Sequence, residues 1–321
     1  MGTFTRLGAD ELAAIAGAFE LGAVLGATPI AAGTINSNFD VATERGRFFV
    51  RINEGKSELD VAWEARLVAA LAERGVPVVV PLGAASGLPY APIAGKWASA
   101  FRWCDGRHLA AGEVTPDHAR TFGGALARLH VAGLALPESW RRRSIYDHDH
   151  LAARYRSFAT SADPELAEAI AVLGDELAAA DAARATRAAA THGISHGDLF
   201  RDNVLWDGGR IAAILDFEQA SGGSLAYDLA VCLNDWCWAG GPRTDLAAAL
   251  VAGYQRVRPL TAADRGALPI EIRAAAARFT ITRITDVYLA RVDNPAKDFR
   301  DFLARSLAWR GPSLGQLTAT L

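Results

Sequence analysis

Lysine, cysteine and long hydrophobic runs are all scarce in this sequence. Its 33 basic residues include only three lysines, Lys56, Lys96 and Lys297, so the remaining 30 are arginines. Arginine is effectively never neutral, whereas lysine serves readily as a nucleophile or Schiff base, so covalent catalysis by lysine has few candidates. The three cysteines are irregularly spaced, which favours neither a disulfide framework nor a four-ligand zinc site. We therefore expect three reduced, partly buried thiols.

Other features that the sequence lacks limit its partners. No run approaches the 18 or so uncharged apolar residues of a membrane-spanning helix, and the first residues show no secretory signal pattern. The formal net charge is −3, so the chain lacks the basic surplus that would bind nucleic acid. We expect a cytoplasmic protein that binds neither nucleic acid nor a membrane.

The 321 residues, 51% of them hydrophobic and 21% charged, suit a globular protein with about two domains. The first third of the chain alternates in the manner of antiparallel strands, followed by one helix with Ser57 as its N-cap. Strands are predicted at 30–33, 38–43, 47–52, 78–81, 88–93 and 96–103, and the helix extends to Gly75. The composition changes near Gly106, and helix-length segments follow from Pro116 onward.

Within the mostly helical remainder, extended runs at 192–206 and 210–217 flank a turn at 207–209. The sequence thus predicts an α+β protein with two lobes, residues 1–103 and 104–321. The first lobe is a small antiparallel sheet with one helix, and the second is larger and mainly helical. A cleft between two lobes is a natural place for a ligand.

A group of polar residues in the second lobe indicates the chemistry. Asp198 precedes Asn203 by five positions in His196–Asn203, and Asp216 follows thirteen residues after Asn203. Asp198 can accept the proton of an attacking hydroxyl, while the other two side chains offer the hard oxygens that Mg²⁺ prefers. A base and two metal ligands at this spacing are typical of phosphoryl transfer from a nucleotide. The turn at 207–209 is expected to bring the two ligands together.

These motifs, and nearly the whole chain with them, resemble the superfamily of aminoglycoside phosphotransferases and choline kinases, distant relatives of the protein kinases. The resemblance implies a two-lobed, protein-kinase-like fold with ATP and Mg²⁺ as cofactors. Residues 1–103 would form the nucleotide-binding lobe, and residues 104–321 the lobe that binds the acceptor and carries catalysis.

The resemblance also implies which residues contact ATP. Ser37 and Asn38 lie in Gly33–Phe39, at the place of the family's phosphate-covering turn, although this segment has a single glycine. Trp103 ends the strand that leads to the hinge, where family members hold adenine through backbone groups.

One position departs from the family pattern. Arg51 stands where the family has a strand lysine that touches the α- and β-phosphates, and Glu64 matches the helix glutamate that pairs with that lysine. An arginine can neutralise phosphate and pair with Glu64, but it is longer and forked. Asp228 matches an aspartate that braces the catalytic loop, so we expect a structural role for it.

Within the superfamily, segments 33–39, 196–205 and 227–237 resemble the bacterial homoserine kinases most. The implied reaction transfers phosphate from ATP to the hydroxyl of L-homoserine, a step of threonine biosynthesis. Homoserine carries an ammonium and a carboxylate, which anionic or carbonyl groups and a planar arginine fork would recognise. The candidates are Asn234 and Asp235 for the ammonium, Arg201 and Arg283 for the carboxylate, and Trp236 for the pocket wall.

Two other interpretations stay open. A kinase for an aminoglycoside, choline, methylthioribose or another small molecule would share every residue on the ATP side, although segment 225–238 has only two acidic residues to meet a polycation. The missing strand lysine also allows a catalytically inactive binding protein with a kinase fold. The presence of Asp198, Asn203 and Asp216 argues against an inactive protein.

Overall fold

The computed structural model describes residues 5–30 and 35–319. The chain forms two compact units, Met1–Gly106 with Ala212–Glu218 and Arg107–Ile211 with Gln219–Leu321. The predicted division between residues 103 and 104 leaves 212–218 in the second lobe, whereas its contacts group this segment with the first. Hydrogen bonding explains the difference, because the backbone N–H of Ile214 donates to Pro77 O at 2.6 Å.

The first unit contains an antiparallel sheet of five strands in the order β1-β2-β3-β5-β4. The strands are β1 (Val24–Pro29), β2 (Ser37–Thr43), β3 (Gly46–Asn53), β4 (Ala91–Ile93) and β5 (Lys96–Arg102), and the helices are α1 (Ala9–Ala18) and α2 (Glu58–Glu73). Alternate residues of β2 and β3, among them Phe39, Val50 and Ile52, are buried in the core. Their period of two places Arg51 on the other face of the sheet, where Phe49 also packs on Phe101.

The hairpin of β2 and β3 and the helix α2 confirm the sequence predictions. Ser57 caps α2 by accepting a hydrogen bond from the backbone N–H of Asp60, whose carboxylate accepts one from Ser57 in return. The predicted strand at 78–81 is wrong, because only isolated bridges form there. Two prolines, Pro77 and Pro81, lack the backbone N–H that a strand ladder needs. Strand β1 was not predicted.

The second unit is mainly helical, with short strands. The helices are α3 (Pro116–Leu134), α4 (His148–Arg156), α5 (Ala167–Ala182), α6 (Arg184–Ala189), α7 (Leu225–Trp236), α8 (Thr244–Gln255), α9 (Ala262–Arg283), α10 (Phe299–Ala308) and α11 (Pro312–Thr318). The strands β6 (His192–Ser195) and β9 (Ser221–Ser224) pair antiparallel, and β7 (Val204–Asp207) pairs with β8 (Arg210–Ile214). The predicted turn at 207–209 is confirmed.

Helices α3 and α8 pack backbone against backbone. A Cβ atom at Gly123 would lie 2.0 Å from Leu250 O, and one at Gly253 would lie 2.0 Å from Arg120 O. Only glycine permits such close approach. This packing brings Tyr254 of α8 within 2.7 Å of His130 on α3, measured from the tyrosine hydroxyl to the imidazole Nδ1. It thereby fixes a buried histidine that takes part in the site below.

The two cysteines of the second unit lie in its interior. All three cysteines are unpaired, and Cys232 and Cys237 are buried, which raises the pKa of both thiols. Their burial agrees with the expectation of partly buried thiols. Within residues 5–30 and 35–319, no helix has the length and apolar character needed to cross a membrane.

Candidate active site

The segment between β6 and β7 holds Asp198 and Asn203. Gly197, just before Asp198, has a φ of +79°, a left-handed conformation that favours glycine. The side-chain amide of Asn203 donates to the backbone oxygen of Asp198 at 2.8 Å, which closes the loop on itself. The indole N–H of Trp236 donates to Leu199 O at 3.2 Å. These bonds hold the backbone around Asp198, while the Asp198 side chain stays 33% exposed.

Asp228 of α7 anchors the start of this loop. Its carboxylate is fully buried and accepts hydrogen bonds from the backbone N–H groups of His196 and Gly197, both at 2.8 Å. His130 Nε2 lies 2.9 Å from the same carboxylate. Burial alone would raise the pKa of Asp228, but the hydrogen bond and charge of His130, with His196 and Gly197, lower it overall. The predicted bracing role of Asp228 is confirmed.

Arg278 of α9 is the cation beside Asp198, and the sequence analysis missed it. Its Nη1 lies 3.5 Å from Asp198 Oδ1, and its side chain is only 4% exposed. The guanidinium carbon lies 4.0 Å from the ring centre of Tyr146 and 3.7 Å from that of Phe279. No local motif marks this position, because it is one arginine among many on a long helix.

Three further arginines of the second unit lie in the same region: Arg201, Arg283 and Arg305. Together with Arg278 we call them the arginine cluster. Burial lowers the pKa of Arg283, while the charges of Asp235 and Asp198 act to raise it. The charge of Asp235 also acts to raise the pKa of Arg305. The guanidinium groups of Arg283 and Arg305 lie 4.5 and 4.3 Å from the ring centre of Phe302. Burial lowers the pKa of Arg305 to about 10.

The predicted substrate residues divide into two groups. Asp235 binds Arg201 through two hydrogen bonds of 2.9 and 3.1 Å, so the two charges are matched with each other. Arg283 donates to the backbone oxygen of Asp298 at 2.8 Å. Arg201 belongs to the segment between β6 and β7, and Asp235 accepts a hydrogen bond from the Arg201 backbone N–H, but all three residues already have partners in the protein.

Asn234 and Trp236 have internal roles. The amide nitrogen of Asn234 donates to Ala230 O and Ile272 O, both at 2.9 Å, and its oxygen accepts from Trp309 at 3.2 Å. Trp236 stacks on Phe122 with ring centres 3.9 Å apart. Both side chains are buried with their polar atoms bonded to protein, so we correct their assignment from substrate contact to structural support.

In the first unit, Arg51 of β3 and Glu64 of α2 form the pair that the sequence predicts. Nη1 of Arg51 lies 2.9 Å from Glu64 Oε1, and Nη2 lies 3.6 Å from Asp216 Oδ1. Burial would lower the pKa of Arg51, but the charges of Glu64, Asp216 and Glu218 raise it overall. Asp216 has a φ of +64°, an uncommon conformation that often occurs at functional sites.

Glu218 extends this polar group and was not predicted. Its carboxylate accepts a hydrogen bond of 2.7 Å from Asn36 Nδ2 and lies 3.6 Å from Lys56 Nζ. Burial raises the pKa of Glu218, as does the charge of Asp216, while Lys56 and Arg51 act in the opposite direction. The scarcity of lysine was a signal that could have singled out Lys56.

The remaining residues predicted to contact ATP are Ser37, Asn38 and Trp103. The Ser37 hydroxyl is buried, donates to Glu54 Oε1 at 2.7 Å and accepts from Thr5 N at 2.8 Å, so we correct its role from phosphate donor to support of the strand. Asn38 lies opposite Arg51 in the β2–β3 register. Trp103 packs its ring 3.5 Å from the Arg47 guanidinium. Gly33 and Thr34 lie outside the described residues.

Asp198 thus lies beside the buried Arg278 in the second unit, and in the first unit the carboxylates of Glu64 and Asp216 flank Arg51. The family model described as "Phosphotransferase enzyme family" matches residues 26–260, and the chain belongs to this family. A homoserine kinase of Caulobacter sp. strain K31 is 37% identical over 293 residues, 89% of each chain. A homoserine kinase of Methylobacterium radiotolerans is 35% identical over 290 residues, 89% of this chain and 88% of the relative.

Solved structures confirm the predicted protein-kinase-like α+β fold. Amicoumacin kinase hAmiN has a TM-score of 0.72 at 15% identity, over 93% of this chain and 92% of that one. A choline/ethanolamine kinase family protein from Mesorhizobium loti has a TM-score of 0.65 at 19% identity, over 92% of both chains. At these identities the similarity concerns the fold alone.

Proposed function

We propose that the protein is a homoserine kinase, which transfers the γ-phosphoryl group of ATP to the side-chain hydroxyl of L-homoserine and so serves threonine biosynthesis. Relatives of this name match most of the chain. The arginine cluster is the observation in the structure that favours this acceptor. The buried Arg278 beside Asp198, with the half-buried Arg283 under the influence of the same charge, suits a substrate with a carboxylate and opposes a polycationic aminoglycoside or the quaternary ammonium of choline.

In the proposed reaction, Asp198 orients the homoserine hydroxyl and accepts its proton as the oxygen attacks the γ-phosphorus. The bond between this phosphorus and the β,γ-bridging oxygen breaks, ADP leaves, and O-phospho-L-homoserine forms. In this proposal the transfer is direct and in line, without a phosphoenzyme, and catalysis comes mostly from positioning and charge stabilisation.

Asn203 and Asp216 are the proposed ligands of Mg²⁺. Because the Asn203 amide nitrogen is bonded to Asp198 O, the amide oxygen remains to face a cation, and Asp216 provides a carboxylate. Such hard oxygen donors fit Mg²⁺, which takes few protein ligands. When bound, the ion supplies positive charge for the phosphate oxygens.

Arg51 is the proposed phosphate contact in place of the usual strand lysine. The carboxylates of Glu64 and Asp216 hold its guanidinium from two sides, at 2.9 and 3.6 Å. Five N–H donors in a fixed fork leave further donors for phosphate oxygens after the bond to Glu64. Its Nε is buried without a hydrogen-bond partner among the described residues.

We expect Arg51→Lys to raise the KM for ATP about 5- to 10-fold, because the ammonium keeps the charge but loses the fork that reaches two carboxylates and phosphate together. Steady-state ADP release at saturating acceptor measures the effect. Arg45→Lys, a change of an exposed arginine in the turn between β2 and β3, is the matched control and should leave this KM unchanged. An unaltered KM for ATP in Arg51→Lys would show that the Arg51 guanidinium does not contact ATP.

A coupled ADP-release assay over L-homoserine, choline, methylthioribose and kanamycin tests the proposal. We expect turnover with homoserine at the highest kcat/KM of the four. Turnover with another acceptor and none with homoserine would overturn the proposal in favour of a different small-molecule kinase. No ADP release with any of them, together with intact ATP binding, would indicate a binding protein of kinase fold.

A further inference from the structure

We propose that Arg278 binds the carboxylate of the acceptor and thereby makes the enzyme selective for an amino acid over a simple alcohol. The inference rests on the proposed function and deepens it, because it names the residue that recognises the part of the substrate that does not react. Arg278, the residue proposed to bind the acceptor's carboxylate, belongs to no recognisable sequence motif.

Arg278 is a buried cation whose donors are incompletely used. Its residue exposure is 3%, its Nε has no hydrogen-bond partner among the described residues, and its one ion pair there, with Asp198, is 3.5 Å long. A buried charge without good partners lowers the free energy of unfolding. An additional partner that binds to it would offset this cost. A substrate carboxylate would supply two oxygens to the planar fork.

The other three arginines of the cluster differ from Arg278 in this respect. Arg201 holds Asp235 through two nitrogens, and Arg305 donates to the backbone oxygens of Asn234 and Asp301 at 2.8 and 2.7 Å. Arg283 donates to Asp298 O and lies 3.5 Å from the Asp301 carboxylate. Arg278 therefore has the most donor capacity left for a ligand.

Aromatic rings fix the position of the Arg278 guanidinium. Tyr146 and Phe279 lie 4.0 and 3.7 Å from its central carbon, measured to their ring centres. Phe279 in turn packs on Phe200, two residues after Asp198, with ring centres 4.6 Å apart. Stacking on rings leaves the edge of the guanidinium, with its N–H groups, for hydrogen bonds. A fork held in place loses little conformational entropy when it binds a carboxylate.

The distance between Arg278 and Asp198 suits one small molecule that reaches both. In homoserine four single bonds separate the hydroxyl oxygen from the carboxylate carbon, so a bent chain presents both groups to neighbouring side chains. With its carboxylate on Arg278, the hydroxyl would be held at Asp198, where the proton is removed. An alcohol without a carboxylate would leave Arg278 unpaired and would lose this positioning.

The test compares Arg278→Met with wild type for L-homoserine and for 3-aminopropan-1-ol, which is homoserine without its carboxylate. We expect Arg278→Met to raise the KM for homoserine about 10- to 100-fold, while the Kd for ATP measured by calorimetry stays within about 2-fold. Wild type should prefer homoserine to 3-aminopropan-1-ol in kcat/KM, and the variant should lose most of that preference. Arg278→Lys, which keeps the charge without the fork, should restore part of the affinity for homoserine.

Arg265→Met, a change of an exposed arginine on the same helix, serves as the matched control, and its KM for homoserine should stay unchanged. Thermal melting and ATP binding show whether each variant is folded, and Arg278→Lys provides the comparison if Arg278→Met is not. An unchanged KM for homoserine in a folded Arg278 variant would overturn the inference, as would an equal loss of affinity for ATP, which would place Arg278 on the phosphates. Failure of the proposed function is distinguishable, because wild type itself would then not phosphorylate homoserine.

Discussion

Replacing Asp198 with asparagine is expected to lower kcat by a factor of about 10² or more while leaving ATP binding nearly unchanged. The amide has almost the size and shape of the carboxylate, but it cannot accept the proton of the attacking hydroxyl. The backbone of the loop should keep its position, because its anchors are the backbone oxygen of Asp198, bonded to Asn203, and the backbone N–H of Gly197, bonded to Asp228. Steady-state kinetics and calorimetric titration with ATP measure the two quantities.

Asp207→Asn is the matched control for this substitution. Asp207 is an exposed aspartate at the end of β7, and its contact with Arg210 is a surface ion pair of 3.4 Å. Such pairs contribute under about 1 kcal/mol, so kcat and stability should match those of wild type. Near-wild-type turnover by Asp198→Asn would contradict the role of Asp198 as the base.

The second large effect is expected for Asp228→Ala, which should destabilise the protein by about 3–5 kcal/mol and lower kcat as well. Removal of this carboxylate leaves the N–H groups of His196 and Gly197 and the imidazole of His130 without their partner in a buried site. The loop that carries Asp198 loses its anchor, and a shift of about 1 Å at a reacting group can cost about 10²-fold in rate. Thermal unfolding and steady-state kinetics measure the two effects.

The pH dependence of this effect has a definite sign. The pKa of Asp228 is lowered from its ordinary value of 3.8 in the folded protein, so its contribution to stability is complete above that value and disappears as the pH falls through the lower, folded pKa. The stability difference between wild type and Asp228→Ala should therefore be constant near neutral pH and shrink only in acid. A difference that vanished between pH 6 and 8 would show that the charge of Asp228 is not what stabilises the loop.

Local sequence signals predicted those parts of the structure that depend on neighbouring residues. The cap at Ser57, the hairpin of β2 and β3 and the turn at 207–209 follow from residues a few positions apart, and they were confirmed. The pairing of Arg51 with Glu64 was also expected, but from the resemblance to kinases and not from spacing.

The sequence was less informative where the chain is buried on every side. Almost all of α7 is buried, so its periodicity gives no outward face. Nothing local therefore separates Asn234 and Trp236, which bond to the protein interior, from residues that could contact a substrate. Arg278 was missed for the opposite reason, because it becomes notable only through its burial and through Asp198, which lies 80 residues away in sequence. Tertiary contacts of this kind leave no local pattern.

The most direct measurement of the proposed chemistry identifies the product formed when the purified protein is incubated with ATP, Mg²⁺ and L-homoserine. Phosphorus NMR distinguishes a phosphate ester from inorganic phosphate, and mass spectrometry shows whether homoserine gained the phosphoryl group. We predict one equivalent of O-phospho-L-homoserine for each ADP released by wild type, and at least about 10²-fold less in the same time with Asp198→Asn. Release of ADP with inorganic phosphate alone, or homoserine recovered unmodified from an enzyme that phosphorylates a different alcohol, would contradict the account.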